Sequence, residues 1–448
     1  MIGMSGHSVI GYIGRRWETL ARVCSHPIPE IPAMTDIDGL YRAILDHPDD
    51  DTPRLIYADA IEDAGESERA GFIRLQVEAA RAEDDDPVAV RVRCFRGNAP
   101  PTTDWLGQLP PLPEGLEWAM PPFRRGFPAD IEARNGAAAF VAHADELFQL
   151  APVESLRLTA TRVAEAEALA DCEFLSRITR LEFPEGLSGP FARRVLNSPH
   201  LTRLTELSVG PQMTVPATAQ ALVRSRAFPH LTVLCWRDDQ RRGGSIVTEL
   251  TRLVDPTRLK RLDLSGNRIT PERLVRLLAN PALASVVDLN LSDNNLGRAG
   301  IRALVAGFLQ QLRGLHLART WPEESGIQDL VEAMFSAELR SLNLTGNNLG
   351  PSTATVLAGS PSVAELRILD LRDNRLGDAG AATLATSPYL GSLLLLDLAE
   401  NGIGDAGADA LAQAPTLSGL VALELAGNTI SEPTQKRLRD RFGERVFL

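Results

Sequence analysis

Residues 366–376 read Leu-Arg-Ile-Leu-Asp-Leu-Arg-Asp-Asn-Arg-Leu, and residues 393–403 read Leu-Leu-Leu-Leu-Asp-Leu-Ala-Glu-Asn-Gly-Ile. The two stretches start 27 residues apart and share the pattern L-x-x-L-x-L-x-x-N-x-L. It recurs at Leu259/Leu262/Leu264/Asn267/Ile269, Val286/Leu289/Leu291/Asn294/Leu296, Leu339/Leu342/Leu344/Asn347/Leu349 and Leu420/Leu423/Leu425/Asn428/Ile430. A fixed period in the twenties predicts a solenoid of stacked units. Each L-x-L pair sends two side chains to one face of a short strand, and stacking sets these strands side by side in one parallel sheet. The asparagines, Asn267, Asn294, Asn347, Asn374, Asn401 and Asn428, fall where the chain turns out of the strand. Their amides can form a structural ladder by bonding otherwise unpaired backbone groups of the neighbouring turn. A helix follows each turn: Thr270-Pro271-Glu272 reads as a cap, a first-turn proline and a first-turn acid. Asp378 and Asp405 fall in the same capping place, and Pro361, Pro388 and Pro415 close the preceding helices.

Repeats of this length with the helix starts Leu376-Gly377-Asp378-Ala379-Gly380-Ala381 and Ile403-Gly404-Asp405-Ala406-Gly407-Ala408 resemble the ribonuclease-inhibitor-like class of leucine-rich repeats. The resemblance implies an α/β horseshoe, with a parallel concave sheet of ten or eleven strands and outer helices. The unit at Leu312/Leu315/Leu317 departs from the pattern, with Thr320 in the asparagine place and Trp321-Pro322 after it. Four degenerate units precede the regular ones, at Val153/Leu156/Leu158, Ile178/Leu181/Phe183, Leu204/Leu207/Val209 and Leu231/Leu234/Trp236. The expected organisation is a leader at 1–33, an acidic helical domain at 34–86, a Pro-rich linker and N-terminal cap at 87–150, repeats at 151–430 and a C-terminal cap at 431–448.

Residues 34–86 carry 16 Asp and Glu against five arginines, a net of −11, in a chain whose net charge is −12. Three helices are readable there: 36–46, one opened by Thr52-Pro53 with Leu55, Ile56, Ala58 and Ile61 inward, and 66–82 burying Phe72, Ile73, Leu75 and Val77. The run from Asp49 to Asp59, followed by Glu68-Arg69-Ala70-Gly71-Phe72-Ile73-Arg74-Leu75-Gln76, resembles the short repeat-companion domain of large-genome bacteria. Ala60 departs from that family, which usually carries a tryptophan there. The family brings an association with interaction repeats and no activity. The charge contrast predicts limited contact between this head and the repeats.

Four cysteines without C-x-x-C spacing point to a reducing, cytoplasmic compartment and to no zinc site. No apolar run reaches the roughly 20 residues of a membrane span. Two lysines, Lys260 and Lys436, against 44 arginines fit a high-GC bacterial genome. No phosphate loop, H-E-x-x-H or G-x-S-x-G motif is present. Asp49–Asp51 lack the alternating ligands and glycine of a calcium loop. His230, Cys235, Asp238 and Asp239 read as neighbours within one repeat rather than a nucleophile set. No cofactor and no metal are expected.

The concave face remains. The residue between the two inward positions of each strand gives the column Arg157, Glu182, Ser208, Cys235, Asp263, Asn290, His316, Asn343, Asp370, Asp397, Glu424, expected to face solvent, basic at its start and acidic at its end. Its later part, from Asp263 onward, is the expected partner-binding surface, suited to a basic protein and repelling nucleic acid. A non-catalytic protein-binding scaffold follows. The alternative is a regulator of a partner enzyme, an inhibitor or GTPase activator, as the repeat class implies. The oligomeric state stays open.

Overall fold

The computed structural model describes residues 37–83, 86–90, 109–211, 216–237, 245–306, 308–334 and 338–448. The expected leader, Trp105, much of the Pro-rich segment, Asp238 and Asp239 lie outside them. Among the described residues the repeat units contribute eleven parallel strands: β5 Ser155–Leu158, β6 Arg180–Phe183, β7 Glu206–Val209, β8 Val233–Trp236, β9 Arg261–Asp263, β10 Asp288–Asn290, β11 Gly314–His316, β12 Ser341–Asn343, β13 Ile368–Asp370, β14 Leu395–Asp397 and β15 Ala422–Glu424. Sequential strands pair in order, with Leu262, Leu289, Leu315, Leu342, Leu369, Leu396 and Leu423 directly opposite one another. A helix follows each regular strand, and one apolar core runs the length of the stack between sheet and helices. This is a leucine-rich repeat solenoid.

The asparagine amides carry the stacking. Asn374 Nδ2 donates to Leu344 O of the preceding repeat and to Leu371 O of its own, while its Oδ1 accepts from the N–H groups of Asn347 and Leu349. Asn428 makes the same four bonds to Leu398, Leu425, Asn401 and Ile403. Asn267, Asn294, Asn347 and Asn401 also reach the preceding repeat's carbonyls. At the irregular unit Thr320 keeps the local bond, Oγ1 to Leu317 O, but its side chain makes no such bridge; Leu296 and Gly297 donate to its backbone carbonyl instead.

Asp378 departs from its expected capping role. Asp378 makes no capping bond to its own helix; its Oδ1 accepts from Gly404 and Gly407 of the next repeat. Asp405 likewise accepts from Ser431. Gly377 has a positive φ and opens the Asp378 helix, so the carboxylate points to the neighbouring helix, whose first N–H groups need an acceptor. Thr270 caps Arg273 as expected.

The sheet is longer than the repeats. Its described strands number 14: β4 (Asp130–Ala133) extends it in parallel before β5, β1 (Leu116–Trp118) closes that edge antiparallel to β4, and β16 (Val446–Phe447) adds to β15. Between β1 and β4 a hairpin of β2 (Phe123–Arg124) and β3 (Phe127–Pro128) projects towards the head.

The head holds three helices, α1 Ile37–Asp46, α2 Asp51–Asp63 and α3 Ser67–Arg81. Its contact with the solenoid is not limited, contrary to the expectation from charge. Phe127 is fully buried inside the head's own core, edge-on to Tyr57 at 5.3 Å. Gln76 Oε1 accepts from Gly126 N at 2.7 Å. Gly126 has φ 85°, and a Cβ there would lie 2.5 Å from Ile73, so only glycine lets the hairpin press this close. Arg54, 1% exposed, lies over the Phe127 ring and 3.9 Å from Glu154. Tyr41 donates to Leu150 O, Arg177 to Leu45 O, and Arg203 pairs with Asp49. Ile56, expected inward, is exposed, while Arg54 takes the buried place.

Two outcomes follow for stability. Asn374→Ala should cost roughly 2–4 kcal/mol, because it strands buried N–H and C=O groups of two repeats. The exposed neighbour Arg375→Ala, at an ordinary backbone angle, should cost under about 0.5 kcal/mol. Urea unfolding monitored by circular dichroism compares them, and equal midpoints would contradict the ladder's role. Arg54→Ala takes the cation 3.9 Å from buried Glu154 away, leaving it only the charges of Arg125 and Arg124, and should loosen the head by a few kcal/mol, whereas Arg74→Ala, on the exposed pairs with Asp59 and Glu62, should cost about 1 kcal/mol or less. Limited proteolysis within 37–83 reads out that difference.

Candidate functional site

Strand pairing places the expected column in register: Arg157, Glu182, Ser208 and Cys235 stand opposite one another on β5–β8, and Asp263, Asn290, His316, Asn343, Asp370, Asp397 and Glu424 continue it on β9–β15. These side chains are half-buried rather than free in solvent, because each strand is only three or four residues long and its neighbours crowd the concave surface. Most of the polar members also serve the chain locally. Asp263, Asn290, Asn343, Asp370 and Asp397 each accept, through Oδ1, the N–H two residues on, at Ser265, Ser292, Thr345, Arg372 and Ala399. This is an Asx turn, which fastens the exit of each strand and explains the preference for Asp or Asn in the column.

The column's charge divides it. Its start is not basic, since Arg157 lies between Glu132 and Glu182, and Arg180 between Glu182 and Glu206. Arg124 pairs with half-buried Asp130 beside them. The N-terminal end of the concave face is thus a ladder of alternating ion pairs. In the middle, His316 Nε2 and Arg261 Nε each lie 3.5 Å from the Asp288 carboxylate, and these two neighbours hold Asp288 below the usual range in spite of its burial.

On β13–β15 the pattern reverses, and three acids stand side by side at roughly 4.8 Å steps. Burial first, then the neighbouring Asp370 carboxylate, raises Asp397 to about 7. Burial also raises Asp370, although Thr345 Oγ1 and Asn343 Nδ2 donate to it, and raises Glu424. Arg372 pairs with Glu400 at the strand-exit edge. Beside the acids, Ile368 and Leu395 present an apolar strip on the same face.

Together these side chains line a concave trough of about 1000 Å³ from Cys235 to Glu424. Burial, with Asp263 alongside, pushes the Cys235 thiol up to about 12, which removes the thiolate that a nucleophile needs. Among the described residues there is no cluster of three or more His, Cys, Asp or Glu able to hold a metal ion, and no helix long and apolar enough to cross a membrane. Sequence reading noted Trp321 only as an irregularity. It is 53% exposed with φ 56°, and its N–H and that of Thr320 both donate to Asn347 Oδ1.

A leucine-rich repeat family model matches residues 257–272, 283–305, 337–358, 366–385 and 392–412. Ribonuclease inhibitor of Sus scrofa is 31% identical over 181 residues, which span 39% of this chain and 38% of that protein. Among solved structures, the yeast Rad7–Elc1 complex aligns with a TM-score of 0.47 and 15% identity, covering 64% of this chain and 73% of the other. The leucine-rich repeat-containing protein LegL7 from Legionella pneumophila aligns at 0.40 and 18%, covering 65% and 91%. The repeats of this chain are leucine-rich repeats.

Proposed function

We propose that this chain is a non-catalytic protein-binding scaffold that receives a basic segment of a partner on the concave face of β13–β15. The observation that carries the reading is the charge contrast along one column. At the N-terminal end each acid pairs with an arginine, whereas Asp370, Asp397 and Glu424 stand side by side and the arginine near them, Arg372, pairs with Glu400. Stacked acids raise the folded state's energy, and an incoming cation relieves that cost. The same field disfavours nucleic acid. Free Cys172 and Cys235 fit a reducing, cytoplasmic setting, and the acidic head fits a bacterial repeat-companion domain. The similarity to ribonuclease inhibitor favours a second version of the scaffold, in which the bound partner is an enzyme held inactive.

Changing Asp370 and Asp397 to Asn and Glu424 to Gln keeps acceptors for the Asx turns, so the fold should persist. The triple variant should weaken a basic partner about tenfold or more at low salt and flatten the salt dependence of its association rate. Surface plasmon resonance across a salt series decides this, and an affinity indifferent to the triple change refutes the reading.

The raised Asp397 also predicts a pH dependence. Its folded-state value exceeds the unfolded one, so its contribution to stability is complete below about pH 4 and lost as pH rises through about 7. Asp397→Asn removes that loss. The variant should therefore gain several degrees in Tm over wild type at pH 8 and little at pH 5, by scanning fluorimetry. An equal gain at both values would show that Asp397 is not raised in the folded state.

A further inference from the structure

Most of the head's polar links to the solenoid fall on its first units, at Leu150, Glu154, Arg177 and Arg203. Glu83, just beyond α3, makes a different contact. Its Oε1 meets Arg313 Nη1 at 2.9 Å, at the entrance to β11 and 230 residues away in sequence. Ala82 and Glu83 thereby form a wall of the concave trough, with side chains of β8–β15 lining the rest. Both partners of the pair are exposed, so it is weak and readily exchanged.

The surface that Glu83 meets is the basic side of a bipolar trough. Arg313 and Arg340 enter adjacent strands at the same position, since Gly314 pairs with Ser341, and both line the trough. Three strands further on, at the strand exits, stands the acidic side centred on Asp397, with Ile368 and Leu395 near it. Three steps of about 4.8 Å along the stack and three residues of about 3.3 Å along the strand separate the two by roughly 17 Å, which an extended chain spans in five or six residues. A uniformly basic segment would meet Arg313 and Arg340 as it extended, and a uniformly acidic one would meet the stacked acids. A mixed segment satisfies both ends and fixes its own direction.

Resting on the reading above, we propose that Glu83 occupies the seat of a partner's carboxylate, and that the trough takes an extended peptide segment whose acidic residue binds Arg313 and whose basic residue, five or six positions away, reaches Asp397. The head then competes with the partner for Arg313, and binding releases Glu83.

The test uses the full chain and a random-sequence peptide library displayed on phage, with enriched sequences remade as fluorescein-labelled peptides for anisotropy titration. Enriched peptides should pair Asp or Glu with Arg or Lys at that spacing. Glu83→Gln should bind them about two- to fivefold tighter, the scale of one exposed pair. Arg313→Glu should abolish most binding, and a peptide with its acid changed to Lys should recover it, which separates lost recognition from lost folding. Peptides indifferent to both Glu83→Gln and Arg313→Glu overturn the inference. If such peptides are purely basic and fail only against the Asp370, Asp397 and Glu424 triple variant, this inference falls and the scaffold reading stands. Peptides indifferent to all of these changes overturn both. A labelled single-stranded oligonucleotide that outcompetes the peptides at Arg313 overturns the peptide assignment.

Discussion

A turn that leaves a strand inside a stacked solenoid carries peptide groups that reach neither water nor a helix nor the strand ladder. Each such group costs about as much as a lost hydrogen bond. A side-chain amide offers two donors and two lone pairs in one plane, enough to answer several of these groups at once. Asn374 does so across two repeats, and it is buried, as are Asn267, Asn294, Asn347 and Asn401. The bonds fix the spacing, because donor and acceptor must meet one repeat apart. Strands of three residues could not hold a sheet by themselves; the amides, the leucines and the neighbouring helices hold them jointly.

That dependence on a neighbour makes the ends of the stack its vulnerable places. At the start the chain adds β4, sets β1 antiparallel against it and drives Phe127 into the head's core. At the finish the helix Glu432–Phe442 and β16 cover the last repeat. The head is therefore part of the closure. Its acidic composition is offset at the seam by Arg54, Arg125, Arg177 and Arg203, which bond its carboxylates or loop carbonyls or face Glu154 across it.

Sequence periodicity carried the architecture far: the L-x-L strands, the turn asparagines and the three head helices follow from local spacing. What it could not carry were interactions between residues whose approach depends on the folded curve. Asp378 looks like a cap for its own helix, and only the offset between stacked helices turns it towards Gly404 and Gly407. Arg54 sits on a helix whose apolar pattern favours Ile56 for burial; the hairpin, 70 residues further on, reverses that choice. The β4 and β1 strands escaped because they lack the leucine pattern. The column on the concave face was legible residue by residue, but its ion pairing was not, since Arg180 and Arg124 lie outside that column.

The two ends of the concave face apply opposite electrostatic choices within one sheet. Alternating Arg134, Glu132, Arg157, Glu182, Arg180 and Glu206 cancel locally, so this section presents little field. On β13–β15 the reverse holds: burial, and then the neighbouring acids, raise Asp397 to about 7 at a cost to the folded state. Natural chains keep such a cost where another requirement opposes stability. Local structure alone does not supply that requirement, because asparagine makes the same Asx turn at 290 and 343 without charge. What aspartate adds at 370 and 397 is field, directed into a trough that a carboxylate from the head already enters from the other side.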